Sequence, residues 1–345
     1  MPRLPARLPA ALVDAVLARL GRGALAAVLA ALAFVVGAPA WAGGASGRAS
    51  ALPVLSGHLE VEQALARGAL LWDVRDPRSF AEAHLPGARS VGDVMHSLLA
   101  ADGEHLLPEA GAAALLGNAG IDTAREIVVY GGRGSPAAWF AQQALRAWGV
   151  ERAAVYDGGI DDWRAARRPL ESGLAEAAAV RVTLAADPFR IIDTQGLRTR
   201  LNQPWAQILD VRSPAEFEAR DVRALRGGHV PGALNLPLPA GPGALEAEAR
   251  ARWQARLAGL DARKETIVYA HAPAEAAPAA AMLAALGFGQ VRLYVGGWQA
   301  WGNTLDAPAD AARFVDVAAL QRRIRALQAR IEQLEQGSGA TAAAR

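Results

Sequence analysis

A glycine-rich stretch in the first half of the chain is the strongest candidate for chemistry. Gly131-Gly132-Arg133-Gly134-Ser135 follows the apolar run 127–130 and precedes a predicted helix at 136–148. Glycines let the backbone turn its N–H groups inward at a helix N-terminus, an arrangement that binds small anions. Arg133 adds positive charge. These five residues are therefore candidate ligands of an anion such as sulfate, and the alternative is a turn that only fills space.

The helix after this stretch has clear start and stop signals. We expect Ser135 at the N-cap, Pro136 at the first helical position and Gly149 at the C-terminal stop. Three acidic residues further on, Asp157, Asp161 and Asp162, are interpreted as the solvated start of another helix.

A second loop of the same kind follows the apolar run 266–269, but it is less suited to anions. It reads Ala270-His271-Ala272-Pro273-Ala274-Glu275. Pro273 and Pro278 remove N–H donors, and Glu275 adds negative charge. His271 is the candidate functional residue because imidazole titrates near neutrality. The other histidines form no ligand cluster, so neither a metal site nor a cofactor is predicted; they are His58, His84, His96, His105 and His229.

Two Asp-x-Arg pairs invite an acid/base interpretation. Asp73 with Arg75 and Asp210 with Arg212 stand where apolar runs end. Perturbed charges occur in structural ion-pair networks as well as in active sites. We interpret these residues as buried or half-buried ion pairs.

Short apolar runs alternate with helical segments in both halves of the chain. The runs 69–74, 127–130, 206–211 and 266–269 are typical of strands buried on both faces of a parallel sheet. Residues 77–83 and 214–219 predict helical turns, with Ser213 as an N-cap before Pro214. This alternation predicts an α/β fold.

Four short motifs occur twice in the chain, in the same order and at similar spacing. The matching pairs keep the same order: Trp72-Asp73-Val74-Arg75 with Leu209-Asp210-Val211-Arg212, His84-Leu85-Pro86-Gly87-Ala88 with His229-Val230-Pro231-Gly232-Ala233, Val129-Tyr130 with Val268-Tyr269, and Gly158-Gly159 and Trp163 with Gly296-Gly297 and Trp301. The repeat is too long for a solenoid, so it indicates a duplicated domain. Extra residues around 220–227 displace the second His motif.

These four motifs, in this order, resemble the rhodanese (thiosulfate sulfurtransferase) family over roughly residues 54–307. The resemblance implies a nucleophilic cysteine directly after each Val-Tyr strand, and it implies that the Asp-x-Arg residues organise structure near that loop. His84 and His229 belong to the repeated motif, where we expect them to fix turn geometry. The chain has no cysteine; Gly131 and Ala270 occupy those positions. Persulfide transfer needs a polarisable thiolate of low pKa, which neither residue supplies. The resemblance also makes thiosulfate a candidate anion.

Composition excludes one class of function. Formal net charge is only +2, and all but one of the 36 basic residues are arginine in an alanine-rich chain. No basic run is interleaved with aromatic residues, so no nucleic-acid binding is predicted.

The N-terminus predicts export. Basic residues precede the apolar run 24–36, and Pro39 and Ala40-Trp41-Ala42 follow it. This is typical of a signal peptide cleaved after Ala42, which leads to the periplasm or another exported location. The alternative is an uncleaved inner-membrane anchor, although a spanning helix needs about 20 apolar residues.

The C-terminal segment carries a heptad pattern. Its apolar positions alternate by three and four residues: Val317, Leu320, Ile324, Leu327, Ile331 and Leu334. β-Branched residues at a with Leu at d favour a parallel two-stranded coiled coil, in which Arg330 at g faces Glu335 at e′ of the partner. The alternative is one amphipathic helix packed back on the domains, because fewer than three heptads are marginal alone.

These observations predict two tandem rhodanese-like domains, each with a mostly parallel sheet flanked by helices, plus a C-terminal amphipathic helix. The expected segments are a signal peptide or anchor (1–42), a linker (43–53), domain 1 (54–173), a linker (174–187), domain 2 (188–308), a coiled-coil-like helix (315–336) and a disordered tail (337–345).

The predicted function is binding without catalysis, as a scaffold for an envelope protein or as a sensor of a small anion. Two alternatives remain. One is a sulfurtransferase that works without cysteine, and the other is a structural subunit that dimerises through the C-terminal helix.

Overall fold

A computed structural model describes residues 53–174, 177–238 and 247–315, together with six C-terminal positions: Gln321, Arg322, Arg325, Leu327, Gln328 and Ile331. All of them belong to one compact unit, Gly47–Arg345. The predicted signal peptide, most of the linker that follows it, the C-terminal tail and four heptad residues lie outside the described residues; the four are Val317, Leu320, Ile324 and Leu334.

The first half forms a parallel five-stranded sheet. Its strands, in the order β1-β5-β4-β2-β3, are β1 (Val54–Leu55), β2 (Leu70–Asp73), β3 (Arg89–Ser90), β4 (Ile127–Tyr130) and β5 (Ala153–Tyr156). The helices are α1 (His58–Ala66), α2 (Pro77–Glu82), α3 (Val94–Ser97), α4 (Glu109–Asn118), α5 (Pro136–Ala147) and α6 (Gly159–Ala165).

The second half repeats this arrangement. Its parallel sheet, ordered β6-β11-β10-β7-β9, contains β6 (Ile191–Ile192), β7 (Ala206–Asp210), β9 (Leu234–Asn235), β10 (Glu265–Tyr269) and β11 (Gln290–Tyr294). The helices are α7 (Thr194–Arg198), α8 (Pro214–Phe217), α9 (Ala247–Ala255), α10 (Pro273–Ala285) and α11 (Gly297–Asn303), and a 3₁₀ turn spans Arg256–Gly259. The α/β prediction is confirmed.

Alternation along the strands divides the apolar side chains between two faces of each sheet. In β2, Trp72 faces a core that the two halves share, whereas Leu71 faces a separate core on the other side. In β10, Val268 joins the same shared core and Tyr269 the opposite one. Both faces are covered, which explains the nearly continuous apolar runs in the sequence.

Helices α5 and α10 pack against each other and join the two halves. They are the helices that follow the two candidate loops. Trp139 and Phe140 of α5 and Met282 and Leu283 of α10 are all buried in the shared core. The loops are therefore fixed to the most extensively packed part of the molecule.

The connection between the halves lies against the first half rather than free in solvent. The N–H groups of Val180 and Ala185 donate to the carbonyls of Gly117 and Trp148. Gly149 ends the turn after α5 at φ +83, as predicted, and a β carbon there would lie within van der Waals overlap of the Ala185 carbonyl. Glycine is needed at this position for both reasons.

The second half has a ribbon that sequence reasoning did not predict. The extra residues before the second His motif lead into β8 (Arg226–His229), which pairs antiparallel with β12 (Asp310–Phe314). The Arg226 guanidinium is buried and donates to the carbonyls of Trp301, Thr304 and Ala307 at 3.1, 2.9 and 2.5 Å. It thereby ties the ribbon to the end of α11.

The described positions of the C-terminal segment are helical. Leu327 and Ile331 stand one turn apart, and both are more than half exposed.

Candidate functional site

The first candidate loop, Gly131–Ser135, joins β4 to α5 at the carboxyl edge of the first sheet. Three of its five N–H groups donate hydrogen bonds to nearby residues of the same domain. Arg133 N donates to the Asp161 carboxylate at 2.8 Å, and Gly134 N donates to the Asp157 carbonyl at 2.8 Å. Ser135 N donates to the Gly132 carbonyl at 3.2 Å. The loop is thus already closed on an internal carboxylate.

Ser135 does not form the capping bond that its position predicts. It stands at the N-cap of α5, but its side chain accepts no bond from the helix. The hydroxyl instead lies beside Gly131, where a β carbon would be 2.6 Å from the Ser135 Oγ. Real β carbons do not approach another atom so closely, so Ser135 occupies the space that a side chain at 131 would need.

The start of α6 holds the other side of this loop. Ile160 N donates to the Gly131 carbonyl at 3.0 Å. Gly159, at φ +55, lies so close that a β carbon there would overlap the same carbonyl. The motif glycine is explained by this contact, which fixes the loop independently of any ligand.

Arg133 faces two carboxylates rather than an open positive site. Its side chain is 44% exposed, and its guanidinium lies 3.9 Å from Asp162. Asp162 accepts from the Tyr156 hydroxyl at 2.6 Å and from His58 N at 3.1 Å. Partial burial opposes ionisation of Asp162, but these bonds lower its pKa. Asp161 and Asp162 stand in the first turn of α6, as predicted, and Asp161 is exposed. The prediction did not include their second role, which is to support loop one.

The second loop, between β10 and α10, is buried and held by the start of α11. Trp298 N donates to the Ala270 carbonyl at 2.8 Å, and Gln299 N donates to the His271 carbonyl at 3.0 Å. The Ala270 methyl is almost completely buried. Helix α10 has no side-chain cap at its N-terminus.

His271 is buried with no hydrogen-bond partner at Nδ1. Burial, together with the nearby Arg223 cation, lowers the pKa of His271, so the ring is neutral at neutral pH. Arg223 itself lies between Glu216 at 3.2 Å and Glu275 at 3.5 Å. Glu275 also accepts from His271 N at 3.2 Å. Loop two therefore contains a neutral, buried imidazole, His271, next to the carboxylate of Glu275.

The Asp-x-Arg pairs are ion pairs, as predicted, and they are nearly identical in the two halves. Arg75 bonds Asp73 at 2.6 Å and the Ala83 carbonyl at 2.6 Å. Arg212 bonds Asp210 at 2.5 Å and the Gly228 carbonyl at 2.8 Å. Each arginine thereby connects a strand end to the turn before the His motif.

Burial and the Asp210 carboxylate raise the pKa of Tyr269 far above its usual value. Its hydroxyl therefore remains protonated and donates to Asp210 at 2.5 Å.

The two motif histidines contact the turns that precede them, as their place in the repeated motif predicted. His84 stacks on Phe80 with ring centroids 4.0 Å apart, and its Nδ1 lies 2.9 Å from the Phe80 carbonyl. His229 stacks on Phe217 at 3.6 Å with the same 2.9 Å contact. Equivalent roles in both halves favour a structural assignment for these residues.

The part of the chain that the structure describes contains no group of three or more His, Asp or Glu side chains arranged to hold a metal ion. Within that same part, no helix has the length and apolar character needed to cross a membrane.

Comparison with characterised proteins finds sulfurtransferases. A thiosulfate sulfurtransferase from Azotobacter vinelandii is 29% identical over 248 residues, covering 70% of this chain and 90% of that protein. A 3-mercaptopyruvate sulfurtransferase from Escherichia coli (strain K12) is 28% identical over 252 residues, covering 68% of this chain and 86% of that protein.

Solved structures show the same fold. The 3-mercaptopyruvate sulfurtransferase SseA from Escherichia coli superimposes with a TM-score of 0.59 at 24% identity, covering 72% of this chain and 99% of that one. An anaerobic ergothioneine biosynthesis enzyme from Chlorobium limicola superimposes with a TM-score of 0.63 at 17% identity, covering 75% and 70%.

The family model called Rhodanese-like domain matches this chain twice, at residues 58–166 and 193–304. Each match contains four of the five strands of one sheet, one Asp-x-Arg pair and one candidate loop. The chain belongs to the family of rhodanese-like domain proteins, as a tandem of two copies without cysteine.

Proposed function

We propose that this tandem rhodanese-like protein has no persulfide chemistry and acts by binding a partner in the cell envelope. One observation carries the proposal: Gly131 and Ala270 occupy the two nucleophile positions, and no cysteine stands anywhere in the chain. Sulfane sulfur transfer requires a thiolate that takes up and releases sulfur, and neither a glycine nor an alanine does so.

The geometry of loop one supports a protein partner over a free anion. Arg133 N, which an anion would need, already bonds Asp161, and Asp162 lies beside the Arg133 guanidinium. An incoming sulfate or thiosulfate would have to displace one carboxylate and approach a second. In loop two, Glu275 opposes an anion in the same way.

Calorimetry with thiosulfate, sulfate, sulfite and phosphate distinguishes a scaffold that binds a protein partner from a sensor that binds a small anion. We expect no saturable heat from any of these anions with the full chain. The comparison uses Arg133→Ala and, as a matched control, Arg164→Ala, which removes an exposed arginine from α6 outside the loop. Saturable binding that is lost in Arg133→Ala and kept in Arg164→Ala would make loop one an anion sensor and overturn the scaffold form.

A sulfurtransferase working without cysteine is the enzymatic alternative, and its relatives are its main support. Ser135 and His271 are the nearest polar substitutes, but a hydroxyl or an imidazole does not hold sulfane sulfur as a releasable persulfide. The buried Nδ1 of His271 is also closed to a substrate. We therefore place binding before catalysis.

Export remains part of the proposal. It is supported by the N-terminal sequence, in which basic residues, an apolar run and Ala40-Trp41-Ala42 follow one another. N-terminal sequencing of the protein recovered from the producing cell tests this point. A mature chain that begins at Gly43 is expected, whereas an intact N-terminus in the membrane fraction would indicate an anchor.

Dimerisation through the C-terminal segment is a second candidate function. It is favoured by Leu327 and Ile331, large apolar side chains that are exposed one turn apart on a helical segment. A second copy would cover the same stripe. Light scattering should give a dimer for the full chain and a monomer for Leu327→Asp/Ile331→Asp; a monomeric full chain contradicts this candidate.

A further inference from the structure

A polar contact joins the two domains at the start of α7. His105 belongs to the loop after α3 in the first domain, and its Nε2 lies 3.1 Å from the carboxylate of Asp193 in the second. Its Nδ1 lies 2.8 Å from Asp102, which also accepts from the backbone N–H groups of Glu104 and His105. The imidazole is therefore held between one carboxylate of each domain.

The protonation state of this ring decides whether both contacts are favourable. An imidazolium carries a proton on each nitrogen and donates to both carboxylates. A neutral imidazole carries one proton, so its other nitrogen would direct a lone pair at a carboxylate oxygen. The geometry with two acceptors thus fits the charged form alone.

A second polar contact lies beside the first and fixes the same helix. The Glu104 carboxylate accepts from the Thr194 hydroxyl at 2.5 Å, and Thr194 also bonds the Tyr294 hydroxyl at 2.6 Å. Asp193 caps α7 through its other oxygen, which accepts from Gly196 N at 2.6 Å. The first turn of α7 therefore receives its order partly from a loop of the other domain.

Solvent reaches this contact, so the ring can exchange protons with bulk water. His105 is about half exposed and lines an open cleft with Arg198, Thr304 and Asp306. Arg198 is paired with Asp306 at 3.0 Å. The charged groups on all sides of His105 are thus Asp102, Glu104, Asp193 and this Arg198–Asp306 pair.

We propose that His105 is a protonation-dependent latch that holds the 100–105 loop of the first domain to the start of α7 in the second. As imidazolium it bridges Asp102 and Asp193; on deprotonation it releases one of them and loosens the first turn of α7. The packing of α5 against α10 keeps the domains together in both states. The latch does not depend on the proposed function.

The direction of the pH effect follows from the two bonds. Hydrogen bonds to Asp102 and then Asp193 outweigh partial burial and raise the pKa of His105 above its usual value. Because the folded-state pKa exceeds the unfolded one, the stabilisation is complete below about pH 6.5 and is lost as pH rises through the raised value. The pKa of Asp102 is lowered by the Glu104 N–H and His105, so the carboxylate stays ionised over this window.

Hydrogen exchange of the full chain at pH 6 and pH 8.5, corrected for the intrinsic pH dependence, tests the latch. In the wild type, amides 194–199 should exchange several-fold faster at pH 8.5. His105→Gln should show the fast rate at both pH values. His96→Gln is the matched control, because His96 is an exposed histidine whose Nδ1 lies 2.8 Å from Asp93, the N-cap residue of its own helix α3. It should behave as the wild type.

Asp193→Asn keeps the capping oxygen for Gly196 while removing the charge, so it tests the interdomain bond without removing the helix cap. The His105 ring proton should titrate at lower pH in this variant than in the wild type. The proposal is overturned if His105→Gln retains the pH dependence of amides 194–199, or if Asp193→Asn leaves the His105 midpoint unchanged.

Discussion

At Gly131 the position of a neighbouring side chain matters as much as the missing thiol. The Ser135 hydroxyl occupies the space beside the glycine, and the Val74 side chain lies 3.4 Å from where a β carbon would stand. Loop one is thus built around the absence of a side chain at 131. A Gly131→Cys substitution would place its β carbon in the space that Ser135 occupies.

Gly131→Ala should destabilise the protein by about 1–3 kcal/mol, the usual cost of overpacking. The reason is that Ser135 must move away from the new β carbon. Urea unfolding at neutral pH measures the change. Gly131→Ala/Ser135→Gly should recover much of the loss, and Gly289→Ala, at an exposed position where the added carbon meets nothing within 4 Å, should have little effect. An unaltered midpoint for Gly131→Ala would show that the loop is loose.

His271 should make stability depend on acid pH. Burial first, and Arg223 next, lower the pKa of His271, so the folded protein prefers the neutral ring. This contribution is complete above the unfolded pKa of about 6.5 and is lost as pH falls through the lower folded value. Urea unfolding between pH 7.5 and 5 should show a steeper loss of free energy in the wild type than in His271→Leu. Parallel pH curves for the two proteins would place the ring in contact with solvent.

Among the structural elements, the β8–β12 ribbon has the clearest energetic prediction. Arg226 is buried, and its Nη2 shares its two hydrogens among three backbone carbonyls around the end of α11. Arg226→Ala should cost about 1–3 kcal/mol, because buried acceptors lose their donor. Thermal unfolding would measure this, with Arg220→Ala as a control, since Arg220 is exposed and pairs with the exposed Glu218. Equal effects of the two substitutions would contradict the assigned role.

The repeated motifs made the sheets predictable, whereas the ribbon was not. Each strand run has a partner in the other copy, and each lies between turn signals, so both sheets and the Asp-x-Arg pairs followed from the sequence. Among the described residues, the second copy has the paired strands β8 and β12, whereas the first copy has a single antiparallel bridge, His84 with Glu171, at the equivalent place. In both copies the paired residues are far apart in the chain. Local pattern does not encode such a contact.

The contacts of loop one were also not predictable from the sequence. The sequence located the five residues, but it could not show that Asp161 turns back to accept the Arg133 N–H. The chain did contain a signal, since Asp161 and Asp162 come one residue after the Gly158-Gly159 motif. The close contact between Gly159 and Gly131 is what brings that helix start to the loop.

At the scale of the whole molecule, the tandem preserves the family's architecture without its nucleophile. The shared core, the stacked His turns and the Asp-x-Arg pairs are all present, and they are features that hold the fold. The match to the family model covers both copies, whereas persulfide transfer depends on a thiol that the chain lacks. The retained fold without a thiol is the reason for proposing a binding function.

Thiocyanate formation by the purified full chain tests the central claim most directly. Cyanide would be supplied with thiosulfate, and in a parallel series with 3-mercaptopyruvate, using the Azotobacter vinelandii thiosulfate sulfurtransferase as an active comparison for thiosulfate and the Escherichia coli 3-mercaptopyruvate sulfurtransferase for the other donor. We expect that thiocyanate forms no faster with this protein, at any concentration of it, than in the protein-free reaction. A rate that is proportional to the amount of this protein and saturates with the sulfur donor would contradict the account and establish sulfur transfer without cysteine.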